Sequence, residues 1–453
     1  MFAHFSRPVC YALCLILSNS AYAEQTADSF NTVGEACLNG MPNHPLNLLE
    51  IVNLALCNNP QTHEMWANVQ AQTAQLGVSK ASEFPSVALN ASENRNWPTN
   101  TSAVNQQSLN LSASYLLYDF GARSANLESA NQLLIAANAT QDSTAQNVFL
   151  SAVQAFYQTQ AALATLDAAQ VSERSAQQSL TAAQARYAAG SAIPADKLSA
   201  QTAYSQATLN RITAEGNLKK SQGVLANVMG WDANKPVALL NNDTLSLPGN
   251  FSANVDALIE QARLRRPDLQ AVVAQVKAAQ ANTDAARAEG SPTVSLSATN
   301  NHNRISGNSS NNSSIGINVS VPIFSGYAPS YRIQAAEAQV EVKNAQLARL
   351  RLQIALEVWT AYQNLTTATQ TLQTTADLLE SASQSERVAL GRYNAGINSM
   401  LEVLSAQSAL ANARQQRVQA IFNWNISRAA LGQAIGNLDV DLLQALSMNN
   451  TPP

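Results

Sequence analysis

The sequence predicts an α+β membrane protein in which long α-helical coiled coils are continuous with a transmembrane β-barrel, built by internal duplication. Three observations carry that prediction. They are a secretory N-terminus, a repeat covering most of the remaining chain, and, in each copy, two alternating strands set beside very long helical stretches.

The N-terminus comes first. His4 and Arg7 precede an apolar run from Val9 to Leu17, and Ala21-Tyr22-Ala23 follows. This pattern is a signal peptide over residues 1–23, cleaved before Glu24. The apolar run is far shorter than the ~20 residues that span a bilayer. Cys14 lacks a lipoprotein-type site around it, so no lipidation is expected. The 12% charged and 6% aromatic composition is too apolar for a disordered chain. A mean hydropathy of −0.12 is too polar for a helical membrane protein. The net charge of −4 leaves no basic surface, which excludes nucleic acid as a partner.

The duplication sets the architecture. Residues 48–92 align without a gap to residues 255–299. Pro60 matches Pro267, Pro85 matches Pro292, Gly121 matches Gly326, and Tyr157 matches Tyr362. Further on, LSAQ at 198–201 recurs at 404–407, and Gly230 matches Gly436. The expected layout is an N-terminal segment 24–47, a first repeat 48–230, a linker 231–254, a second repeat 255–436 and a tail 437–453.

Each repeat opens with a helix of roughly 35 residues, about 50 Å long, that ends before Pro85 or Pro292. Strand hairpins follow over 85–119 and 292–324. Val87, Leu89 and Ala91 alternate with polar residues, as do Leu109, Leu111, Ala113, Tyr115 and Leu117. The second copy repeats this with Val294, Leu296 and Ala298, then Ile315, Ile317, Val319, Val321 and Ile323. Period two gives one apolar and one polar face. Polar loops are expected at 96–107 and 300–313, where Asn and Ser cluster. Past Gly121 and Gly326 the chain is helical for roughly 65 residues, a rod of about 100 Å. Heptad spacing appears in Leu365, Leu372 and Leu379, and in Phe149, Phe156 and Leu163. A short Gly turn, near 190–196 or 396–402, leads into a second long helix, from about Asp196 to Met229 and from about Met400 to Ile435.

The strands match the ~9–11 residues of a tilted transmembrane strand. An ordinary half-buried soluble sheet would alternate identically, so the signal peptide and the long helices decide for the membrane. Four strands cannot close a barrel, and open edges are not tolerated in lipid. Protomers must therefore share one barrel, and a conducting one needs a trimer or higher ring.

Cys10 and Cys14 leave with the signal. Cys37 and Cys57 remain, either as a disulfide pinning the N-terminal segment to the first helix or as two unpaired buried thiols. His4, His44, His63 and His302 lack ligand spacing, and no catalytic or nucleotide fingerprint appears. No enzyme activity, cofactor or metal is expected. Trp97, at a strand end, suits an interfacial girdle.

At this point the sequence resembles the TolC family of outer-membrane efflux ducts. The resemblance rests on ALCNNP (55–60) with ARLRRP (262–267), and on LLYDFG (116–121) with VPIFSG (321–326). It rests too on the turn motifs ARYAAGSAIPAD (185–196) and GRYNAGINSMLE (391–402). It implies a homotrimer with a twelve-stranded barrel in the outer membrane and an α-helical tunnel through the periplasm. It also implies a periplasmic adaptor (membrane fusion) protein and an inner-membrane transporter as partners. The duct would be a passive conduit for efflux or type I secretion, gated at its helical tips. The Cys37/Cys57 pair resembles members serving type I protein secretion.

By the same resemblance the gate is expected at Tyr187, Asp196, Tyr393 and Glu402. The adaptor contacts are expected at Gly190, Ser191, Gly396 and Ile397. A threefold Glu402 ring would attract cations; equally, Asp196 and Glu402 stabilise helix N-termini. Asn398 and Ser405 stand where the family pattern places basic and second acidic gate partners. A gate held by Tyr393 and hydrogen bonds is expected in place of a salt-bridged lock. The competing readings are a periplasmic adaptor, a coiled-coil scaffold and an envelope enzyme. An adaptor would show a single hairpin flanked by lipoyl-like strands, a scaffold needs neither strands nor signal, and the enzyme lacks a site.

Overall fold

The computed structural model describes residues 44–97, 99, 103–235, 237–240, 254–305, 307–397 and 399–437. The signal peptide, Cys37 and Asn398 lie outside them. Among the described residues one element order occurs twice. The first copy is α1 (Leu48–Asn58), α2 (Pro60–Ala81), β1 (Ser86–Asn96), β2 (Val104–Tyr118), α3 (Ala122–Ala188) and α4 (Pro194–Val228). The second is α5 (Val255–Arg265), α6 (Pro267–Glu289), β3 (Thr293–Ile305), β4 (Asn308–Ser320), α7 (Ala328–Asn394) and α8 (Met400–Ala434). Among the described residues no helix is long and apolar enough to cross a membrane.

The opening helix expected in each repeat is two helices. Asn59 (φ −66°, ψ 129°) and Arg266 (φ −67°, ψ 123°) are extended. The cause is the following proline, whose ring disfavours the α region for its predecessor. The break has a partner. Asn59 Nδ2 donates to the Val228 carbonyl at the end of α4 (2.9 Å). Arg266 does the same for Ala434 at the end of α8. Each break thus supplies a donor to a helix C-terminus that would otherwise lack one. Burial opposes the charge of Arg266, but Asp268 and then Glu357 outweigh it and raise its pKa.

Two compact units emerge. One holds α1, α4, α3 from Ser151, the end of α7 from Val388 and α8 as far as Ala411. A parallel bridge joins Leu46 to Leu239 in it. The other holds the sheet, α2, α5, α6 and the remaining parts of the long helices. Its core joins Ile354, Val358, Leu365 and Leu372 of α7 to Ile421, Trp424 and Leu431 of α8. The expected heptad residues Phe149, Phe156, Leu365 and Leu372 are buried. Much of the remaining core is alanine, which lets helix backbones approach closely. Buried Thr159 satisfies its hydroxyl on the Ala155 carbonyl (2.8 Å), so polar residues enter these helices without an unmet donor.

The four strands form one antiparallel sheet in the order β1-β2-β3-β4. They are longer than expected at the polar end. Of the segments read as loops, 300–313 is strand at 300–305 and 308–313, and 96–107 is strand at 96 and 104–107. There Asn and Ser pair across strands: Asn300 Nδ2 donates to Ser313 Oγ (2.7 Å), and Ser92 Oγ lies 2.7 Å from Ser108 Oγ. At the other end β4 stops at Ser320, leaving Val321 and Ile323 outside it, because Pro322 has no N–H for the ladder. Both strand-to-helix junctions use two successive left-handed residues, Phe120-Gly121 and Gly326-Tyr327. Asp119 fixes the first by accepting from the Arg123 backbone N–H (2.9 Å) and side chain (3.0 Å).

Gly230 follows α4 at φ +78°, and a Cβ there would lie 2.3 Å from the Asn58 carbonyl oxygen. Gly230→Ala is expected to cost on the order of 2 kcal/mol or more. Gly77→Ala, in open space on α2, is expected to be neutral or to add up to ~1 kcal/mol. Thermal unfolding of the detergent-solubilised protein separates them, and equal melting temperatures for both variants would refute the close approach.

Candidate functional site

Two features bear on function: the faces of the sheet and the tips of the helical hairpins. On the sheet, register puts Val87, Ala113, Ala298 and Ile315 in one row, with Tyr115, Leu296 and Ile317 in the next. This face is apolar yet open: Leu89, Ile315, Ile317 and Val319 are all exposed. From Leu109 to Tyr118 it rises about 25 Å if the strands tilt by about 40°. Aromatics flank it, with Tyr118 against Phe120 (4.8 Å) and Phe324 against Tyr327 (5.7 Å) at the helical end. Trp97 stands exposed at the other end with Arg95 over its ring.

The opposite face carries no formal charge. Its rows are Ser86–Ser114–Ser297–Gly316, Ala88–Ser112–Thr299–Ser314 and Asn90–Asn110–Asn301–Asn312, followed by Ser92–Ser108–Asn303–Ser310. The charged strand residues Glu93, Arg95 and Arg304 sit on the apolar side, at its far end.

The tips lie in the other unit. After α3, Gly190 (φ +72°) turns the chain, with Ser191 N donating to Arg186 O (2.9 Å) and Gly190 N to Tyr187 O (3.0 Å). After α7, Gly396 (φ +75°) does the same with Ile397 N to Arg392 O (2.9 Å) and Gly396 N to Tyr393 O (3.0 Å). Both are Schellman caps, which require glycine at the left-handed position. The cap fixes where the Arg-Tyr pair of each motif sits on the last turn. Ser191 adds a bond from its hydroxyl to Arg186 O (3.1 Å).

The pairs meet across the two hairpins. The Arg186 guanidinium lies 4.1 Å from the centre of the Tyr393 ring and donates to the Tyr393 carbonyl (3.0 Å). Tyr393 is buried in a cluster with Leu180, Ala183, Ala200, Met400 and Val403. Ser179 and Gln407 exchange hydrogen bonds nearby (3.2 and 3.1 Å). The Tyr393 hydroxyl is buried with no partner among the described residues. Within the chain Tyr393 is held by the cation–π contact, the Arg186 bond to its carbonyl and packing, with its own hydroxyl unused among the described residues.

The other expected site residues are spread out. Tyr187 is exposed, with the Lys197 ammonium 5.4 Å from its ring centre. Asp196 and Glu402 each lie in the first turn of their helix. Ile397 and Ser405 are exposed. Cys57 is disulfide-bonded, while Cys37 falls outside the described residues. Sequence reasoning passed over Arg186. The signal was present in the Arg preceding Tyr in both turn motifs.

Comparison with known proteins fits this arrangement. The family described as outer membrane efflux protein matches residues 51–231 and again 258–437. The chain belongs to that family. Protein CyaE of Bordetella pertussis is 32% identical over 87% of this chain and 84% of its own. Outer membrane protein TolC of Vibrio cholerae is 22% identical over 86% of this chain and 91% of its own. The crystal structure of the Campylobacter jejuni CmeC outer membrane channel shares the fold, with a TM-score of 0.76 at 18% identity, covering 93% of this chain and 96% of that one. As a family member the chain is an outer-membrane export channel with a periplasmic helical extension, a conduit and not an enzyme. The adaptor reading gains no support.

Arg186→Met keeps the side-chain stem and removes the charge. It is expected to weaken the Tyr393 contact by about 1–2 kcal/mol. Amide hydrogen exchange over residues 391–397 should then quicken roughly tenfold, which is the rate equivalent of about 1.4 kcal/mol; unaltered exchange would rule the contact out.

Proposed function

We propose that three copies of this chain pool their strands into one twelve-stranded barrel and act as the passive exit duct of a tripartite efflux or type I secretion system. The observation carrying this is the open four-stranded sheet, with one apolar face, one uncharged polar face and two unpaired edges. In hydrocarbon those edges need partners. Twelve strands satisfy them and leave an aqueous lumen, whereas eight would be filled by side chains. The apolar face then meets outer-membrane lipid, and the Ser/Asn rows line the pore.

A lining without charge supports a reading in which ion discrimination lies at the tips, over 190–196 and 396–402. Glu402 there contributes a threefold carboxylate ring that favours cations. Tyr187, Asp196 and Tyr393 complete the entrance. The exposed apolar residues Ile193, Leu198, Ile397 and Leu401, beside Gly190, Ser191 and Gly396, fit an adaptor docking on the turns. That adaptor would link the duct to an inner-membrane transporter.

Purified protein in planar bilayers tests the assignment. Tyr393→Ala is expected to raise single-channel conductance several-fold. Glu402→Ala should move the reversal potential in a salt gradient toward zero. If both variants conduct as the parent does, the gate lies elsewhere.

A further inference from the structure

The apolar side of the sheet is cut on a slant, and the slant locates the edge of the bilayer. On β1 and β2 the apolar run ends at Ala91 and Leu109, which share one row. On β3 and β4 it ends at Ala298 and Ile315, two rows nearer the helices. In the row between, Leu89 and Leu111 stand in line with Asn300 and Ser313. The inner edge steps the same way within the strands, from Val87 on β1 to Val319 on β4, while β2 spans both ranges. Two rows are four residues, about 14 Å, and three strand spacings are also about 14 Å. The edge therefore crosses the strands at about 45°, close to the tilt of strands in a membrane barrel. A bilayer is flat, so a band cut at the tilt angle lies level once the strands are tilted.

Beyond that edge, at the end away from the helices, stand Arg95 and Arg304. Arg95 lies two rows past Ala91 on β1, and Arg304 three rows past Ala298 on β3. Measured from the slanted edge the two reach about the same level, roughly 10 Å outside the apolar band. Their stems can turn back to the headgroup layer there. Register sets them two strands and one row apart, about 12 Å. Both are exposed, Arg95 lies 5.7 Å from the centre of the Trp97 ring, and neither pairs with a carboxylate among the described residues. Glu93, on the same side, accepts from Gln107 Nε2 (3.1 Å). The Ser/Asn side of the sheet holds no cation, so these arginines are not placed to meet exported solute.

We propose that Arg95 and Arg304 of one chain grip an anionic lipid of the outer leaflet that carries two phosphates, one at each guanidinium. A single phosphate is too small to bridge about 12 Å, so the pair calls for two anionic groups. Guanidinium suits them because its fork donates two bonds to a phosphate. The amphipathic Trp97 ring belongs to the same interfacial layer. The inference rests on the reading that this side of the sheet faces lipid.

Native mass spectrometry of the full-length protein, titrated with lipid A (a disaccharide lipid bearing two phosphates), tests the site. Arg95→Gln with Arg304→Gln is expected to bind on the order of thirtyfold more weakly, about fivefold per arginine. Lys80→Gln with Lys220→Gln removes the same charge from exposed helix positions and should leave binding unchanged. Equal binding by the arginine variant and the parent overturns the inference. So does an equal loss in the lysine variant, or displacement of the lipid by equimolar inorganic phosphate. The lipid-facing reading is checked separately in outer-membrane vesicles. There Ser313→Cys should react with a water-soluble maleimide, while Leu89→Cys, in the same row, should not. Labelling of both removes the lipid-facing reading; protection of Leu89→Cys without any loss of lipid A binding in the arginine variant removes the arginine site alone.

Discussion

A strand in hydrocarbon can send its backbone hydrogen bonds only to another strand, and that constraint organises this protein. The sheet satisfies it at three internal seams and leaves the outer edges of β1 and β4 unpaired within the chain among the described residues. The alternation of residues follows from the same setting. One face shows branched and aromatic side chains without cover, and the other shows hydroxyls and amides that pair across strands. A soluble sheet with this much uncovered apolar surface would aggregate.

Duplication is the second organising fact, and it acts on details as well as on element order. Asn59 and Arg266 are different residues that meet the same need, a donor for the last carbonyls of α4 and α8. Gly230 and Gly436 both close on the break opposite them, at Asn58 and Arg265. The tips keep a single Schellman geometry and one Arg-Tyr pair each. Around that frame the side chains differ, so one backbone design yields an apolar contact in one place and charges in another.

The sequence was most legible where a residue acts locally. Gly190 and Gly396 mark turns because only glycine tolerates the left-handed cap. Heptad leucines and phenylalanines marked buried seams because periodicity survives in any long helix. It was least legible where a polar residue had two uses. Asn and Ser at 300–313 signalled a loop, yet in a sheet they form cross-strand ladders. Pro60 and Pro267 were visible as matched positions, but the break they make became meaningful only when Asn59 and Arg266 were found capping other helices. Arg186 belonged to a recognised motif and still went unread, since its role depends on a ring 207 positions away.

The sequence by itself determined the duplication, the two alternating hairpins, the long helices and their glycine turns, because each is written in spacing that local backbone preference converts directly into structure. The tertiary structure decided which surfaces meet. It set Arg186 on Tyr393, buried that ring without a hydroxyl partner among the described residues, and ordered the four strands so that every charged strand side chain left the Ser/Asn face. Those outcomes depend on packing between segments distant in the chain, where the energy of a contact is fixed by its partner and not by the residue alone.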